Sequence, residues 1–111
     1  MNMRNKVQLI GRLGAEPEVK TFDNGQMARM SIATSERYRN NKGEQVEDTQ
    51  WHNVIAWGKT AEIAGKYLRK GQEVAITGKL ETRQYTDKEG NTRYSTQVVC
   101  DELLMLGKKD A

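Results

Sequence analysis

Apolar residues recur at every second position in several separate runs of this chain, and this periodicity limits the folds that the chain can adopt. In the first run, Val7 and Leu9 alternate with polar neighbours. In a later run, Ala28, Met30 and Ile32 do the same. Alternation with a period of two is typical of β-strands that bury one face and leave the other in water. The pattern therefore predicts a domain built mainly from half-buried strands.

Turn signals divide these runs into five predicted strands. Pro17 ends the first run, and Asp23-Asn24-Gly25 is a hairpin signal before the second. Gly11 and Gly14 stand where a barrel strand has to coil tightly. The predicted strands cover residues 4–13, 28–34, 50–58, 74–80 and 94–100, with a long polar loop or mobile hairpin over 36–50 and a turn over 87–91.

One segment, residues 60–71, has a helical period instead. Thr60 is the expected N-cap and Glu62 suits the first turn, while Gly71 is the expected C′ residue. Lys66, Arg69 and Lys70 suit the last turn. One helix face is predicted to hold Ala61, Ile63, Ala64, Tyr67 and Leu68.

The order of these elements predicts the fold class. Five strands with a single helix between the third and the fourth match the all-β OB-fold, a Greek-key barrel that presents its second and third strands to oligonucleotides. A length of 111 residues fits one domain. We expect the OB-fold domain to span residues 1–107, followed by a short tail stub over 108–111.

Composition excludes several function classes. Cys100 is the only cysteine and His52 the only histidine, so neither an internal disulfide nor a Cys/His zinc site can form. The sequence contains no phosphate-binding glycine loop, no dinucleotide fingerprint and no apolar signal segment. We therefore expect no enzyme activity, no catalytic residues, no metal, no cofactor and no membrane partner, and a cytoplasmic location.

The third strand carries the strongest functional signal. Trp51 and Trp57 lie six residues apart, so a strand points both indoles to one face, while Val54 and Ala56 point inward. Indoles on an outer face can stack on nucleic-acid bases, which is nearly independent of base identity. The alternative, in which one or both pack in the core or between subunits, stays open. Asn53 between them and Lys59 after them favour the stacking interpretation.

Two further aromatic residues stand at the bases of the polar hairpins. Tyr38 and Tyr85 each have an arginine within two residues, a pairing that supplies charge for phosphates and a plane for bases. Each ring could equally cover its own hairpin. Phe22 is ambiguous, and Tyr67 and Tyr94 are assigned to packing. The net charge is only +3, but basic residues on several strands could line a groove: Arg4, Lys6, Lys59, Lys70, Lys79, Arg83 and Arg93.

Several motifs together resemble the bacterial single-stranded DNA-binding proteins. They fall in order along nearly the whole chain: Asn5-Lys6-Val7, Gly11-Arg12-Leu13-Gly14, Pro17-Glu18-Val19, Ile32-Ala33-Thr34-Ser35-Glu36, Trp51-His52-Asn53-Val54, Gly58-Lys59-Thr60-Ala61-Glu62, Tyr67-Leu68-Arg69-Lys70-Gly71, Gly78, Leu80, Thr82, Arg83, Tyr85, Gly90 and Met105-Leu106-Gly107. The resemblance implies an OB-fold homotetramer with single-stranded DNA as its partner.

The resemblance also implies roles for individual residues. Tyr38, Trp51, Trp57 and Tyr85 stand at the family's stacking positions, where the family often has tryptophan for the tyrosines and phenylalanine for Trp57. Asn53 stands where the family can carry a basic residue, and His52 matches a family position near a subunit contact. Family members often continue into a flexible tail whose acidic tip recruits replication and repair proteins. This sequence ends without one, so it is expected to lack that docking element.

The resulting hypothesis is a coating protein that protects single strands during replication, recombination and repair. Three alternatives use the same barrel: an RNA- or primosome-directed binding module, an OB-fold nuclease, and a structural subunit that buries Trp51 and Trp57 between copies. Relative affinity for RNA and DNA, metal-dependent cleavage and tryptophan fluorescence would separate them.

Overall fold

A computed structural model describes residues 4–107 of the chain. The predicted tail stub over 108–111 lies outside these residues. The elements in chain order are β1 (Val7–Leu13), β2 (Glu18–Phe22), β3 (Gly25–Arg39), β4 (Gln45–Trp57), α1 (Gly58–Tyr67), β5 (Glu73–Thr86) and β6 (Thr92–Met105). Within the described residues, α1 lacks the length and the apolar character needed to cross a membrane.

Five of these strands close into a barrel. β1 pairs antiparallel with β5 along most of its length and with β3 at its end, and β3 pairs with β4. β5 pairs antiparallel with β6, and a short parallel contact between β4 and β6 closes the ring. Without β2, the order around the barrel is β1-β3-β4-β6-β5 and back to β1. The helix lies between the third and fourth barrel strands, so the OB-fold prediction is confirmed.

The core fills the inside of this ring. Its largest fully buried side chains are Ile32, Leu68, Ile76, Val54 and Val74. Each such side chain contributes about 1.5–3 kcal/mol by leaving water. Helix α1 packs onto the same core through two buried alanines, Ala61 and Ala64. Within the barrel the inward faces of the strands are largely occupied by packing, which leaves the outward faces available for binding.

Gly11 marks the point where β1 crosses from one neighbour to the other. Gly11 still pairs with Val74 of β5, whereas the next residue, Arg12, also pairs with Ala33 of β3. A Cβ atom at Gly11 would overlap the carbonyl oxygen of Ala33. Close approach of two backbones at a barrel corner therefore requires glycine here, as the sequence indicated.

Two segments contain more strand than the sequence predicted. Of the two predictions for residues 36–50, a loop or a hairpin, the structure shows the hairpin, because β3 and β4 stay paired up to Arg39 and Gln45. β2 was not predicted as a strand at all, yet it pairs with β3 from Glu18 to Phe22. Both stretches are polar, so the alternation of buried residues that marks a strand is missing. Backbone pairing with β3 and β4 forms them nonetheless.

The predicted helix ends were wrong. The helix begins at Gly58, and its N-cap is Trp57, which makes no side-chain cap hydrogen bond. Thr60 is therefore inside the helix, and Glu62 lies beyond the first turn. The helix ends at Tyr67, so Arg69, Lys70 and Gly71 follow it.

The C-terminal end of α1 is closed by an arginine rather than by a glycine. Arg69 Nη1 donates to the carbonyl oxygen of Leu68 at 2.7 Å. The N–H of Gly71 donates to the carbonyl oxygen of Leu13 at 2.8 Å, which ties the loop to β1. The tertiary contact with β1 thus decides where the chain leaves the helix, and a local capping pattern could not indicate it.

Three side chains assigned to packing are exposed. Ile63 and Tyr67 lie on the solvent side of α1, because only Ala61, Ala64 and Leu68 of the predicted face are buried. Tyr94 is 69% exposed on β6, beyond the end of the barrel core. The helix touches the barrel along a narrow stripe formed by Ala61, Ala64 and Leu68, and Ile63 and Tyr67 lie outside that stripe.

Candidate nucleic-acid interface

The two faces of β4 differ sharply in exposure. Val54 and Ala56 are completely buried, whereas Trp51 and Trp57 are 61% and 48% exposed. The face that carries both indoles is called the outer face below. Across the sheet, Trp51 pairs with Ala33 and Trp57 pairs with Met27 of β3. Both tryptophans thus lie on the outer face as predicted, and neither is part of the core.

Basic groups flank Trp51. Its ring lies against Gly14, where a Cβ atom would overlap the indole. Arg12 pairs with Ala33, which pairs in turn with Trp51, so the three side chains form a row on the outer face. Arg12 Nη1 donates to the carbonyl oxygen of Gly71 at 3.0 Å, and this places the preceding residue, Lys70, at the same end of the barrel. The site prediction included Lys70 but missed Arg12.

Trp57 has an aromatic neighbour. The ring of Phe22 lies 6.3 Å from it, centroid to centroid, with the planes tilted by 34°. Lys59 follows two residues after Trp57, on the exposed surface of the first turn of α1. The second indole therefore has an aromatic ring beside it and a cation two residues after it in the chain.

A groove of about 290 Å³ separates β4 from β6 beside Asn53. Its lining residues are Arg29, Asn53, Ile55, Ser95 and Gln97. β4 and β6 pair only at two positions, and the groove opens where the strands part. The site prediction placed Asn53 here but missed Arg29. Arg29 alternates with the buried Ala28 and Met30 on β3, and this alternation could have indicated that Arg29 points outward.

The β5–β6 hairpin brings Tyr85 and two arginines together. Tyr85 pairs directly with Arg93, and Arg83 lies two residues before it on the same face of β5. Arg83 Nε donates to a Glu81 carboxylate oxygen at 2.7 Å, and Arg93 Nε donates to Asp87 at 3.1 Å. Such solvent-exposed ion pairs are weak, so both arginines can exchange their partners for phosphate groups.

These contacts lower the pKa values of the Glu81 and Asp87 carboxyl groups. The hydrogen bonds from Arg83 and then Gln97 lower the pKa of Glu81 below its usual value. The backbone N–H of Asn91 and then the Arg93 side chain lower the pKa of Asp87. Both carboxylates are therefore ionised at neutral pH and can pair with the arginines when no nucleic acid is bound.

Tyr38 does not join the outer face. It lies six residues after the buried Ile32 on β3, so it points to the side that continues the core. It pairs with Val46 and is 51% exposed because the hairpin extends past the barrel. The structure thus brings three of the four predicted stacking residues to one side of the sheet and leaves Tyr38 on the other.

The remaining basic residues lie at the start of the chain and on β5. Lys6 and Lys79 line a depression of about 330 Å³ together with Asp101 and Glu102, which offset part of their charge. Arg4 is exposed and lies outside that lining. Lys79 pairs with Val99, which pairs in turn with Ile55 of β4, so it lies in a row with the outer face. The contact of these cations with nucleic acid stays a prediction.

His52 lies on the inward side of β4. It pairs with Ile32, and its Nε2 atom is 2.9 Å from the Thr34 hydroxyl oxygen. The ring is half-buried within the single chain. This contact orients the imidazole, and the predicted role of His52 in a subunit interface stays a prediction.

The one thiol is poorly suited to nucleophilic chemistry. Cys100 is buried, and burial, followed by the charges of Asp101 and Glu102, raises the pKa of its thiol to about 11. At neutral pH it is therefore protonated, and its Sγ donates to the carbonyl oxygen of Glu102 at 3.3 Å. Among residues 4–107, no three His, Cys, Asp or Glu side chains are grouped to hold a metal ion.

An OB-fold barrel with exposed aromatic rings and cations on one sheet face defines a class, the OB-fold proteins that bind nucleic-acid strands. The single-strand binding protein family matches residues 4–106, and the chain belongs to that family. The resemblance drawn from the sequence motifs is thereby confirmed.

Two curated relatives are close in sequence. The chain is 45% identical to single-stranded DNA-binding protein 1 of Chlorobaculum tepidum over 96% of its own length and 67% of the relative's. It is 43% identical to single-stranded DNA-binding protein 1 of Xylella fastidiosa over 95% of its length and 79% of the relative's.

Two solved structures share the fold. One is the Plasmodium falciparum SSB complex with ssDNA, with a TM-score of 0.85 and 33% identity; the match covers 96% of this chain and 100% of that one. The other is a deletion mutant of the single-stranded DNA binding protein from Thermus aquaticus, with a TM-score of 0.80 and 30% identity. That match covers 93% of this chain and 50% of the other.

Proposed function

We propose that this chain binds single-stranded DNA without base specificity. The exposure of Trp51 and Trp57 on one sheet face is the observation that carries the proposal. Arg12 shares a row with Trp51, and Lys59 follows two residues after Trp57. Stacking on such rings contributes about 1–3 kcal/mol per base and is tolerant of sequence. Arg12, Arg29 and Lys59 lie where they can meet the phosphates between the stacked bases.

Duplex DNA is disfavoured by the same chemistry. Paired bases hide their π-faces inside the helix, so the outer face could contact only the phosphates. Trp51 and Trp57 would then remain exposed to water. The family membership and the complex of a similar fold with single-stranded DNA support this proposal.

The wider role follows from this binding chemistry. A protein that covers bases keeps a strand free of hairpins and shields it, which suits replication, recombination and repair. We propose that residues 1–107 form the binding domain, that it acts without catalysis as a homotetramer with His52 near a subunit contact, and that it works in the cytoplasm on the nucleoid. Mass measurement in solution tests the oligomeric state.

Tryptophan fluorescence tests the binding proposal directly. Oligo(dT), a matched oligo(rU) and a duplex are titrated into the protein at two salt concentrations. We expect the strongest quenching with oligo(dT), weaker quenching with RNA and the weakest with duplex. Affinity should fall with salt at a log–log slope near 0.7 per phosphate contact. The proposal is contradicted if the affinity for oligo(dT) does not change with salt concentration, or if tryptophan fluorescence is not quenched at saturating oligo(dT).

A further inference from the structure

The surface around Trp57 contains a second aromatic ring that the sequence left without a role. Phe22 ends β2, and it is 46% exposed although it is a large apolar side chain. It lies 6.3 Å from Trp57, which is exposed to nearly the same extent at 48%. Two half-exposed rings in contact form a larger apolar surface than a single side chain on a polar sheet.

The strand register explains how the two rings meet. Lys20 pairs with Met27 on β3, and Met27 pairs with Trp57 on β4, so the three side chains lie in one row on the outer face. Phe22 is two residues after Lys20 and therefore shares that face. The rings of Phe22 and Trp57 meet across Met27, which is only 8% exposed.

The hairpin that carries Phe22 is held in place from its other side. Val19 points from β2 toward α1, where it meets Gly65. A Cβ atom at Gly65 would come within 2.7 Å of a Val19 methyl group, so the strand and the helix are in direct contact. Phe22 thus stands on a supported strand, and a binding ring loses little freedom when its position is already set.

We propose that Phe22 is a base-stacking residue and forms, with Trp57, a two-ring platform at the β2–β3 end of the outer face. The ligand is single-stranded DNA, so this inference rests on the proposed function and extends the strand path past Trp57. The tilt of 34° leaves the two rings in contact with each other, so bases stack on their exposed faces rather than between them.

Cations stand on both sides of the platform. Lys20 lies beside Phe22 on β2, and its ion-pair partner Glu18 is 3.8 Å away, with both side chains largely exposed. Lys59 lies on the other side, in the first turn of α1. A strand that crosses the two rings would therefore meet a positive charge before and after them.

The competing explanation is that Phe22 serves only as a cover for Met27. Phe22→Leu separates the two roles, because leucine keeps an apolar cover but has no π-face. Thr21→Ala is the matched control, since Thr21 is exposed on the opposite face of the same strand. Phe22→Ala is the stronger variant, and Phe22→Leu keeps the test valid if the alanine variant fails to fold.

Affinity for an oligo(dT) of about 16 nucleotides, the upper site size of one OB-fold, is the first measurement. We expect Phe22→Leu to bind about fivefold or more weakly, while Thr21→Ala binds like the unchanged chain. Normal binding by Phe22→Leu overturns the inference and leaves the proposed function standing. Failure of the unchanged chain to bind oligo(dT) overturns both.

Photo-crosslinking is a second measurement, and it detects direct contact between Phe22 and a base, which a purely structural role of Phe22 would not produce. Oligo(dT) with iodinated uracil bases is irradiated on the unchanged chain, and the adducts are mapped by mass spectrometry. Adducts on Phe22 support the platform. Adducts confined to Trp51, Trp57 and Tyr85 overturn it.

Discussion

The two long hairpins, β3–β4 and β5–β6, are closed by the same turn but present their tyrosines to opposite sides. Asn40 accepts hydrogen bonds from the N–H groups of the second and fourth residues after it, both at 3.0 Å. Asp87 accepts the same two bonds at 3.0 and 2.8 Å. Gly43 and Gly90 occupy equal positions with φ of 78° and 84°. The turn chemistry therefore does not explain the difference between the hairpins.

The difference comes from the count of residues between the core and the turn. Tyr38 and Tyr85 both stand two residues before the turn's Asn or Asp. Tyr38 is six residues from the buried Ile32. On β5, past the register shift at Thr77/Gly78, Tyr85 is five residues from Leu80, which pairs with the buried Val98 on the core side. An even count returns to the core side and an odd count gives the outer face. One residue more or less in a strand thus decides which side of the molecule a ring can serve.

The largest expected effect is on the free energy of unfolding, and it compares the barrel part of β3 with the hairpin part of the same strand. Ile32→Ala should lower the free energy of unfolding by about 2–5 kcal/mol, because it leaves a cavity in the core. Tyr38→Ala, on the same face of β3, should change it by no more than about 0.5 kcal/mol. Urea unfolding measures both. Equal losses would show that the inner side of the hairpin is packed.

The next effect concerns DNA affinity and compares the two tyrosines. Tyr85→Ala should lose about 1–3 kcal/mol of binding free energy for oligo(dT), because its ring shares the outer face with the tryptophans. Tyr38→Ala should lose less, since a strand on the outer face does not reach it. Fluorescence titration of both variants measures the difference. A larger loss for Tyr38→Ala would mean that the strand crosses to the inner side of the β3–β4 hairpin.

The two turns should respond alike to loss of their glycines. Gly43→Ala and Gly90→Ala each place a Cβ atom at positive φ with no atom within 4 Å, so the cost is purely conformational. We expect each to lower the free energy of unfolding by about 1–2 kcal/mol. Gly→Asn at the same positions is the control, because asparagine tolerates this conformation better. Unequal costs would break the equivalence of the two turns.

The smallest expected effect is a pH dependence of turn stability, which the β5–β6 turn should show and the β3–β4 turn should not. The pKa of Asp87 is lowered, so its contribution to stability is present above the ordinary aspartate pKa and is lost as pH falls through the lowered value. Acid should therefore loosen the β5–β6 turn, whereas the turn at the neutral Asn40 should not respond. Amide hydrogen exchange at Asn91 and Glu44 follows the two turns separately. Asp87→Asn should remove the acid response of the β5–β6 turn.

Much of the fold could be predicted because strand alternation is a local property. Successive side chains of a strand point to opposite faces wherever the strand lies, so the spacing of Trp51 and Val54 assigned them to different faces before any neighbour was known. The order of the strands and the position of the one helix were enough to indicate the OB-fold. The polar strand β2 and the outer parts of β3 and β4 carry no alternation of buried residues. β2 was therefore missed, and the outer parts were predicted only as a loop or a hairpin.

The composition of the candidate site depended on contacts between distant parts of the chain. Arg12 shares a row with Trp51 only because β1 pairs with β3, and Phe22 meets Trp57 only because β2 and β4 both pair with β3. These neighbours are set by closure of the barrel, which no local pattern encodes. The amino-acid order alone decides which face each ring takes; barrel closure decides which rings and cations meet there, because that depends on which strands become neighbours.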